Sequence, residues 1–310
     1  MWYLKQIDDK NSFQVIAFLK QHEPICVNLC EEVLHWEKYH NDFSDTSRLH
    51  AKRKSYRGDG PPIFLFFHDM VLVAVFALDR QGTLLHCFPK PDRSSIKAFV
   101  LCARSEFAHI EISSIMGERR VSRLLQKYLS DTFGYRISKV TRYFLLTRSS
   151  DISNYNTASV SPAISPTKIH AAVCTICTVN DIDDLLPLQL GYEREELERT
   201  KVNEVYSRLY LNRMLEEQIM FQCRISGRLV SKLHTNAQGI HCKQFGGVYT
   251  VEQFRGQHIA EILLTHAIKT LAPSTNMFAL FVKEKNMSAL RLYKRLGFSH
   301  LCDFRIISFK

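Results

Sequence analysis

A polar segment at residues 149–168 divides the 310-residue chain almost in half. The segment is rich in Ser, Thr, Asn and Pro, and its apolar residues follow neither the period of a helix nor the alternation of a strand. We therefore interpret it as a linker between one domain at residues 1–148 and a second at residues 169–310. Each half is long enough to bury a substantial apolar core.

The apolar patterns on both sides of this segment follow a similar order. In the first half they predict helices at 12–20, 25–36, 95–103 and 118–129, and strands at 63–67, 71–78, 83–88, 109–115 and 143–147. In the second half they predict strands at 171–178, 219–225, 229–234, 241–250, 277–282 and 304–309, a helix capped by Asn180, and helices at 202–216, 256–271 and 287–296. Each half contains a meander followed by a strand–helix–strand passage. This order predicts two copies of one mixed α/β (α+β) architecture.

Composition excludes several classes of protein. The longest apolar run, residues 70–78, is far shorter than the roughly 20 residues of a membrane-spanning helix. The first six residues lack the basic and apolar regions of a secretory signal. The nine cysteines are odd in number and scattered from Cys26 to Cys302, which favours reduced thiols. These observations predict a cytoplasmic protein that makes no membrane contact.

The charge balance favours an anionic partner. Lys and Arg outnumber Asp and Glu by 41 to 31, a formal net charge of +10, which suits nucleic acid, a membrane surface or a phosphorylated cofactor. We interpret the basic cluster at 52–57 as a solvated loop, with nucleic-acid contact as the less favoured alternative. Cys174 and Cys177 would point to opposite faces of a strand, which indicates core thiols. The histidine spacings match no metal-binding motif, so no metal site is expected.

The most informative stretch is residues 246–260, where an apolar strand ends near Thr250 and a short loop leads directly into a helix. Free backbone N–H groups and the positive end of the helix dipole make such a junction an anion site, suited to a pyrophosphate. Gly256 would let the backbone approach a phosphate closely, and Arg255 would add charge. The glycines match neither a Walker loop nor a dinucleotide fingerprint, and an ordinary turn is the alternative interpretation.

A second motif follows at residues 286–298. Asn286 can cap a helix that Gly297 would end. Ala289, Leu292 and Leu296 form an apolar stripe at helical spacing, and Tyr293 lies beside it.

Together the two motifs resemble the GNAT superfamily of acetyl-CoA-dependent N-acetyltransferases. The resemblance covers roughly residues 171–310 and extends to Tyr-Glu-x-Glu-Glu at 192–196 and Lys-x-x-Thr-Asn-Ala at 232–237. It implies a mixed, mostly antiparallel twisted sheet flanked by helices, with the first half as a degenerate copy of the same fold. We expect the first-half counterpart of the phosphate loop at residues 115–120, where Glu118 would repel a pyrophosphate. The cofactor site would then lie wholly in the second half.

The resemblance also implies roles for individual residues. Tyr293 matches the tyrosine that protonates the departing CoA thiolate, and a packing role on the helix is the alternative. Asn286 matches a position that contacts CoA, with helix capping as the alternative. His258 replaces a glycine of the pyrophosphate loop, so its imidazole must point away from the cofactor; a solvent-facing histidine is favoured over a phosphate donor. The predicted cofactor-binding residues are Val248, Tyr249, Thr250, Arg255, Gly256, Gln257, His258, Ile259, Ala260 and Asn286.

No general base is assigned from the sequence. Family members often use a glutamate on the strand that corresponds to 241–250, and this strand has no carboxylate. Glu193 and Glu196 share a helix face and could attract a cationic amine, although a solvated acidic face is the alternative. The candidates are Glu193, Glu195, Glu196, Glu252, His234 and His241.

These features predict an N-acetyltransferase in which a small-molecule or protein amine attacks acetyl-CoA directly, without a covalent enzyme intermediate. A non-catalytic acyl-CoA sensor or partner-binding module is the first alternative, because of His258 and the missing carboxylate. A modifier of RNA or protein, recruited by the basic surface, is the second. The sequence identifies neither the acceptor nor the oligomeric state.

Overall fold

The computed structural model describes residues 1–43, 62–107, 110–151 and 172–310. Most of the predicted linker, the basic cluster at 52–57 and the first residue of the strand predicted at 109–115 lie outside the described residues. The limits of the two domains therefore stay a prediction.

The described residues form one sheet with helices packed against it. The strands of the first half are β1 (Trp2–Gln6), β2 (Ile63–His68), β3 (Val71–Leu78), β4 (Thr83–Cys87), β5 (Ser114–Glu118) and β6 (Ile137–Ser149). Those of the second half are β7 (Ala172–Ile176), β8 (Met220–Ile225), β9 (Arg228–Gln238), β10 (Cys242–Thr250), β11 (Met277–Lys283) and β12 (Ser299–Phe309). The helices are α1 (Ser12–His22), α2 (Val27–Phe43), α3 (Arg93–Glu106), α4 (Arg119–Phe133), α5 (Ile182–Glu195), α6 (Glu204–Glu217), α7 (Ile259–Leu271) and α8 (Met287–Arg295).

The strand order is β1-β2-β3-β4-β5-β12-β6-β11-β10-β9-β8-β7. All neighbouring strands are antiparallel except β4 with β5 and β10 with β11. α3 and α4 pack on the first-half strands around Phe76 and Phe99, whose rings stack 3.8 Å apart. α7 and α8 cover the second-half strands around Phe245 and Phe278, which stack at 5.1 Å. The predicted mixed, mostly antiparallel fold is confirmed.

The last strand of each half is inserted beside strands of the other half. β6 lies between β11 and β12, in register from Met277↔Ser149 to Lys283↔Tyr143 on the β11 side. β12 in turn lies between β5 and β6. The two halves are therefore joined by backbone hydrogen bonds through the centre of one sheet.

Several element boundaries differ from the sequence prediction. β1 was not predicted; its pairing with β2 and the stacking of Trp2 on His68 at 3.9 Å stabilise it, and neither is a local signal. β6 is much longer than residues 143–147, because strands on both sides extend its pairing. β5 begins only at Ser114 and includes Gly117. Thr178, not Asn180, caps the short 3₁₀ helix that precedes α5.

The element order corrects the expected position of the first-half phosphate loop. Both halves follow the order strand, two helices, three strands, helix, strand, helix, strand. The counterpart of the β10–α7 loop is therefore the β4–α3 loop at residues 88–92. Residues 115–120 correspond instead to the β11–α8 junction of the second half. Their strand–glycine–helix pattern resembles that of the β10–α7 loop, but they stand one strand and one helix later in the element order.

Candidate cofactor and active site

β10 and β11 separate part-way along their length. Their parallel pairing runs from Cys242↔Met277 to Phe245↔Leu280 and stops, although β10 continues to Thr250. On its other side β10 stays paired with β9 as far as Thr250↔Ser231. Among the described residues, the β11-facing edge of residues 246–250 therefore has no strand partner, and an extended ligand could pair with it. We call the gap between residues 246–250 of β10 and the neighbouring β11 the wedge. The predicted residues Val248, Tyr249 and Thr250 all lie along it.

A bulge in β10 accompanies this separation. The register between β10 and β9 shifts between Gly246 and Tyr249, and Gly247 has φ of +59°. A Cβ on Gly247 would lie 2.2 Å from Nε2 of His234, so the buried imidazole packs directly on the glycine. Burial lowers the pKa of His234 to about 3, which keeps the ring neutral. The bulge turns the end of β10 away from its parallel neighbour.

A lysine lies beneath the same bulge. Lys232 is fully buried, its Nζ donates to the Gly247 carbonyl at 3.2 Å, and it lies 5.0 Å from the centre of the Tyr192 ring. Burial lowers the pKa of Lys232 to about 8. Lys232 opens the Lys-x-x-Thr-Asn-Ala motif, and the sequence pattern predicts no role for it. Its place between Val230 and Leu233 in a predicted strand is the local feature that could have indicated burial.

The loop after β10 leaves the start of α7 open. Gly256 has φ of +71°, and no heavy atom lies within 4 Å of the position that a Cβ would take. The N-cap residue of α7 is His258, and its side chain makes no capping hydrogen bond. The first N–H groups of α7 and its dipole can therefore act on an anion beside Gly256. Gln257, Ile259 and Ala260 lie in this same turn.

Arg255 does not point freely into this opening. Its Nη2 lies 2.6 Å from Oε2 of Glu195, and its Nε donates to the Thr250 carbonyl at 2.9 Å. The Tyr249 hydroxyl donates to the other oxygen of Glu195 at 2.6 Å. The expected charge contribution of Arg255 is thus shared with an acidic residue of α5.

His258 adopts a left-handed backbone conformation, with φ of +58°. Glycine adopts this conformation more readily than other residues, which agrees with the glycine that the resemblance implies at this position. Its Nδ1 lies 2.9 Å from Oε2 of Glu261, a buried carboxylate that also pairs with Arg295 at 2.8 Å. The imidazole is therefore engaged with the first turn of α7, and it is half-buried instead of facing solvent.

The second motif folds as its pattern predicts. The Asn286 side chain accepts from the Ala289 N–H at 3.1 Å and caps α8, and Gly297 ends the helix with φ of +80°. Tyr293 is buried in the same apolar cluster as Ile259, with Val248 packed against it. Burial raises the pKa of Tyr293, so its hydroxyl keeps its proton at neutral pH.

Glu196 is the candidate base whose charge acts on Tyr293. Burial raises the pKa values of Tyr143, Tyr192 and Tyr293, and the charge of Glu196 raises each of them further. These tyrosines come from β6, α5 and α8, so the charge of Glu196 acts on three elements. Tyr143 belongs to the first half of the chain, and no local pattern could have placed it here.

The other candidate bases are engaged or distant. Glu193 is buried and accepts hydrogen bonds from Gln189, Ser207 and Arg199, each at 2.9 Å, so it holds α5 against its surroundings. Glu195 is held by Tyr249 and Arg255, Glu252 is exposed, and His234 is buried and neutral. His241 precedes the opposite end of β10, roughly 25 Å from the wedge at strand geometry.

Comparison with known proteins agrees with this geometry. Residues 183–298 match the acetyltransferase (GNAT) family. The second half of the chain contains a GNAT acetyltransferase domain. Membership of this domain in the family supports acyl transfer as its general chemistry. A search of curated protein sequences found no match.

Solved structures resemble the whole chain at low identity. A Drosophila protein covers 99% of this chain and 98% of its own, with a TM-score of 0.64 at 11% identity. A tandem GNAT protein from the clavulanic acid biosynthesis pathway covers 99% and 98%, with a TM-score of 0.54 at 9% identity. A GCN5-related N-acetyltransferase from Kribbella flavida covers 76% and 86%, with a TM-score of 0.50 at 12% identity. At these identities the likeness concerns the fold, which is that of tandem GNAT proteins.

The first half does not reproduce the open helix start that follows β10 in the second half. Its β4–α3 loop contains two prolines, and the Asp92 carboxylate caps α3 by accepting from the Ser95 N–H at 2.7 Å. The buried His86 ring lies where a Cβ on Gly117 would be, 2.1 Å from Nε2, and so fills the space between β4 and β5. A side-chain carboxylate and a ring thus occupy the positions that are open in the second half.

Other predicted features can be located in the described residues. Cys174 packs against one apolar cluster and Cys177 lies in another, as core thiols on opposite faces should. Residues 1–43, 62–107, 110–151 and 172–310 contain no group of three or more His, Cys, Asp or Glu side chains arranged to hold a metal. No helix within these ranges has the length and apolarity needed to cross a membrane.

Proposed function

We propose that the protein transfers an acetyl group from acetyl-CoA to an amine. The observation that carries this proposal is the wedge between β10 and β11, which leads directly to the uncapped start of α7 and to the buried Tyr293. An extended amide-containing arm fits the edge of β10 at residues 246–250, which has no strand partner on the β11 side in the described part of the chain. A pyrophosphate fits the N–H groups that follow Gly256, because the space beside Gly256 is open and the side chain of the N-cap residue His258 makes no capping hydrogen bond.

In this proposal Tyr293 protonates the departing thiolate. Burial raises the pKa of Tyr293, so its hydroxyl is protonated at neutral pH. The surrounding apolar cluster would keep water away while the hydroxyl donates its proton to the thiolate. Asn286 uses its side-chain oxygen to cap α8, which leaves its amide N–H₂ for the cofactor. The amine and the thioester react directly, and holding them together supplies much of the rate.

The acceptor amine would approach from the side of Glu196. This carboxylate would attract a cationic amine and take its proton, directly or through one water. Lys283 donates to the Glu196 carbonyl and to Glu198, and Lys139 of β6 also pairs with Glu198 at 3.1 Å. Together with Tyr143, Lys139 makes the first half of the chain part of the acceptor side.

The test is transfer of labelled acetyl from acetyl-CoA to pools of amino acids, polyamines and peptides. We expect Tyr293→Phe to lower kcat by about 10²-fold with little change in acetyl-CoA affinity, because the ring still fills its place. Tyr3→Phe is the matched control, since Tyr3 lies on the distant edge strand β1, and it should keep full activity.

Two results would contradict the proposal. Full turnover of Tyr293→Phe on the best amine would show that another group protonates the thiolate. Saturable acetyl-CoA binding without transfer to any amine would favour the non-catalytic acyl-CoA sensor instead.

A further inference from the structure

Four arginine side chains gather around the centre of the sheet, far along the chain from the β10–α7 loop. Arg305 on β12 is paired across the sheet with Gly117 of β5 on one side and with Arg142 of β6 on the other. Arg119 and Arg123 lie one turn apart on α4, which packs against β5 and β12. We refer to Arg119, Arg123, Arg142 and Arg305 as the arginine cluster.

The cluster is not neutralised by the carboxylates around it. Arg119 pairs with Asp303 at 2.7 Å and with Glu284 at 2.9 Å. In the part of the chain that the structure describes, Arg123, Arg142 and Arg305 form no ion pair. Like charges this close raise the free energy of the folded protein unless an anion lies between them.

Within the described ranges, Arg305 also lacks a hydrogen-bond acceptor for one of its buried N–H groups. Its Nε is buried and has no hydrogen-bond partner among the described residues. Burial and the charges of Arg119, Arg142 and Arg123 hold the pKa of Arg305 below its ordinary value. Buried donors on charged groups are normally paired, so an orphaned guanidinium N–H indicates a missing acceptor.

The cluster borders a cavity of suitable size. The cavity has a volume of about 1070 Å³ and is formed by α4, the last residue of β5, the first residue of α3, and β12. This volume is slightly larger than the roughly 300–1,000 Å³ typical of small-molecule pockets. Its lining contains no residue of the wedge or of α8. Its lining contains two carboxylates, Glu118 and Asp303, and six Lys or Arg side chains: Arg93, Arg119, Arg120, Arg123, Lys127 and Arg305.

We propose that this cavity binds a phosphorylated small molecule, with a phosphate group held by Arg305 and Arg123. The planar fork of a guanidinium matches two phosphate oxygens, which explains the choice of arginine over lysine. Glu118 caps α4 by accepting from the Arg120 and Val121 N–H groups, and Asp303 pairs with Arg119; the remaining lone pairs of both carboxylates would accept from hydroxyl groups elsewhere on the ligand. A concave site with these acceptors fits a compact ligand better than a nucleic-acid backbone, which needs an extended basic surface. Because α4 belongs to the first half and β12 to the second, the ligand would bridge both halves.

Calorimetric titration of the full chain with inorganic pyrophosphate tests the proposal. We expect Arg305→Met to weaken pyrophosphate binding at least tenfold, about 1.4 kcal/mol, and to leave acetyl-CoA affinity unchanged. Arg104→Met removes the same charge from an exposed position near the far end of α3, and should change pyrophosphate affinity less than twofold. Equal pyrophosphate affinity in wild type and Arg305→Met would overturn the proposal, because the anion would then bind elsewhere, such as at α7.

Thermal unfolding provides a second readout. Without phosphate, Arg305→Met should unfold at a higher temperature than wild type, because the unpaired charge is removed. Pyrophosphate should raise the melting temperature of wild type and not of the variant. If Arg305→Met does not fold, Arg123→Met, at an exposed helix position, should show the same loss of pyrophosphate binding. Binding of single-stranded RNA that Arg305→Met abolishes and pyrophosphate does not displace would overturn the assignment to a small molecule.

Discussion

Replacing Gly247 with alanine should test how the wedge is built. The glycine has φ of +59°, and a Cβ there would lie 2.2 Å from Nε2 and 2.4 Å from Cδ2 of His234. The imidazole cannot withdraw easily, because it is buried and its Nδ1 lies 2.9 Å from the Thr235 carbonyl. Gly247→Ala therefore adds two costs, a strained backbone and an overpacked contact.

The two costs can be separated with a matched variant. A left-handed conformation costs a non-glycine residue about 1–2 kcal/mol, and overpacking a core adds about 1–3 kcal/mol. Gly227 has φ of +79°, and no heavy atom lies within 4 Å of the position of its added Cβ. Gly227→Ala should therefore show only the first cost. We expect Gly247→Ala to lower the free energy of unfolding by about 1–3 kcal/mol more than Gly227→Ala.

Denaturant unfolding of both variants measures this difference, and acetyl-CoA titration measures its effect on the wedge. Gly247→Ala should also weaken acetyl-CoA binding, because the clash shifts the bulge that aims β10, whereas Gly227→Ala should not. Adding His234→Ala should offset part of the destabilisation, with a favourable coupling of about 0.5–3 kcal/mol. Equal destabilisation by Gly247→Ala and Gly227→Ala, without coupling to His234, would refute the close packing of the imidazole on the glycine.

Three further predictions concern Lys232, Gly256 in the β10–α7 loop, and strand β6. The pKa of Lys232 is about 8 in the folded protein and 10.5 ordinarily, so between these pH values the unfolded chain binds one proton more than the folded protein. The free energy of unfolding should therefore rise by about 1.4 kcal/mol per pH unit, and Lys232→Met should lack this rise in denaturant unfolding at pH 8 to 10. Gly256→Glu should weaken acetyl-CoA binding at least tenfold, about 1.4 kcal/mol, without loss of the fold, and unchanged affinity in calorimetry would contradict the phosphate loop. A fragment of residues 172–310 should associate or fail to fold, because β11 and β12 lose the strand between them; a stable monomer by light scattering and thermal unfolding would contradict the importance of β6.

Local chemistry made much of the second half predictable. The Asn286 cap, the Gly297 stop and the strand-to-helix junction at Gly256 depend on residues within a few positions of each other, and the structure has all three. The strands of the β8–β9–β10 meander were predicted for the same reason. The sequence by itself therefore determined the fold class and the junction at which β10 leads into the open start of α7.

Tertiary structure decided the features that depend on residues far apart in the chain. No local pattern shows that β6 crosses into the second half, so the pairing of Tyr143 with Lys283 of β11 could not be predicted. The burial of Lys232, the packing of His234 on Gly247 and the pairing of Arg255 with Glu195 likewise follow from how strands and helices meet. Hydrogen-bond capping and apolar period act over one or two turns and can be read along the chain. Register, desolvation and charge pairing depend on which distant elements become neighbours, and only the assembled sheet determines that.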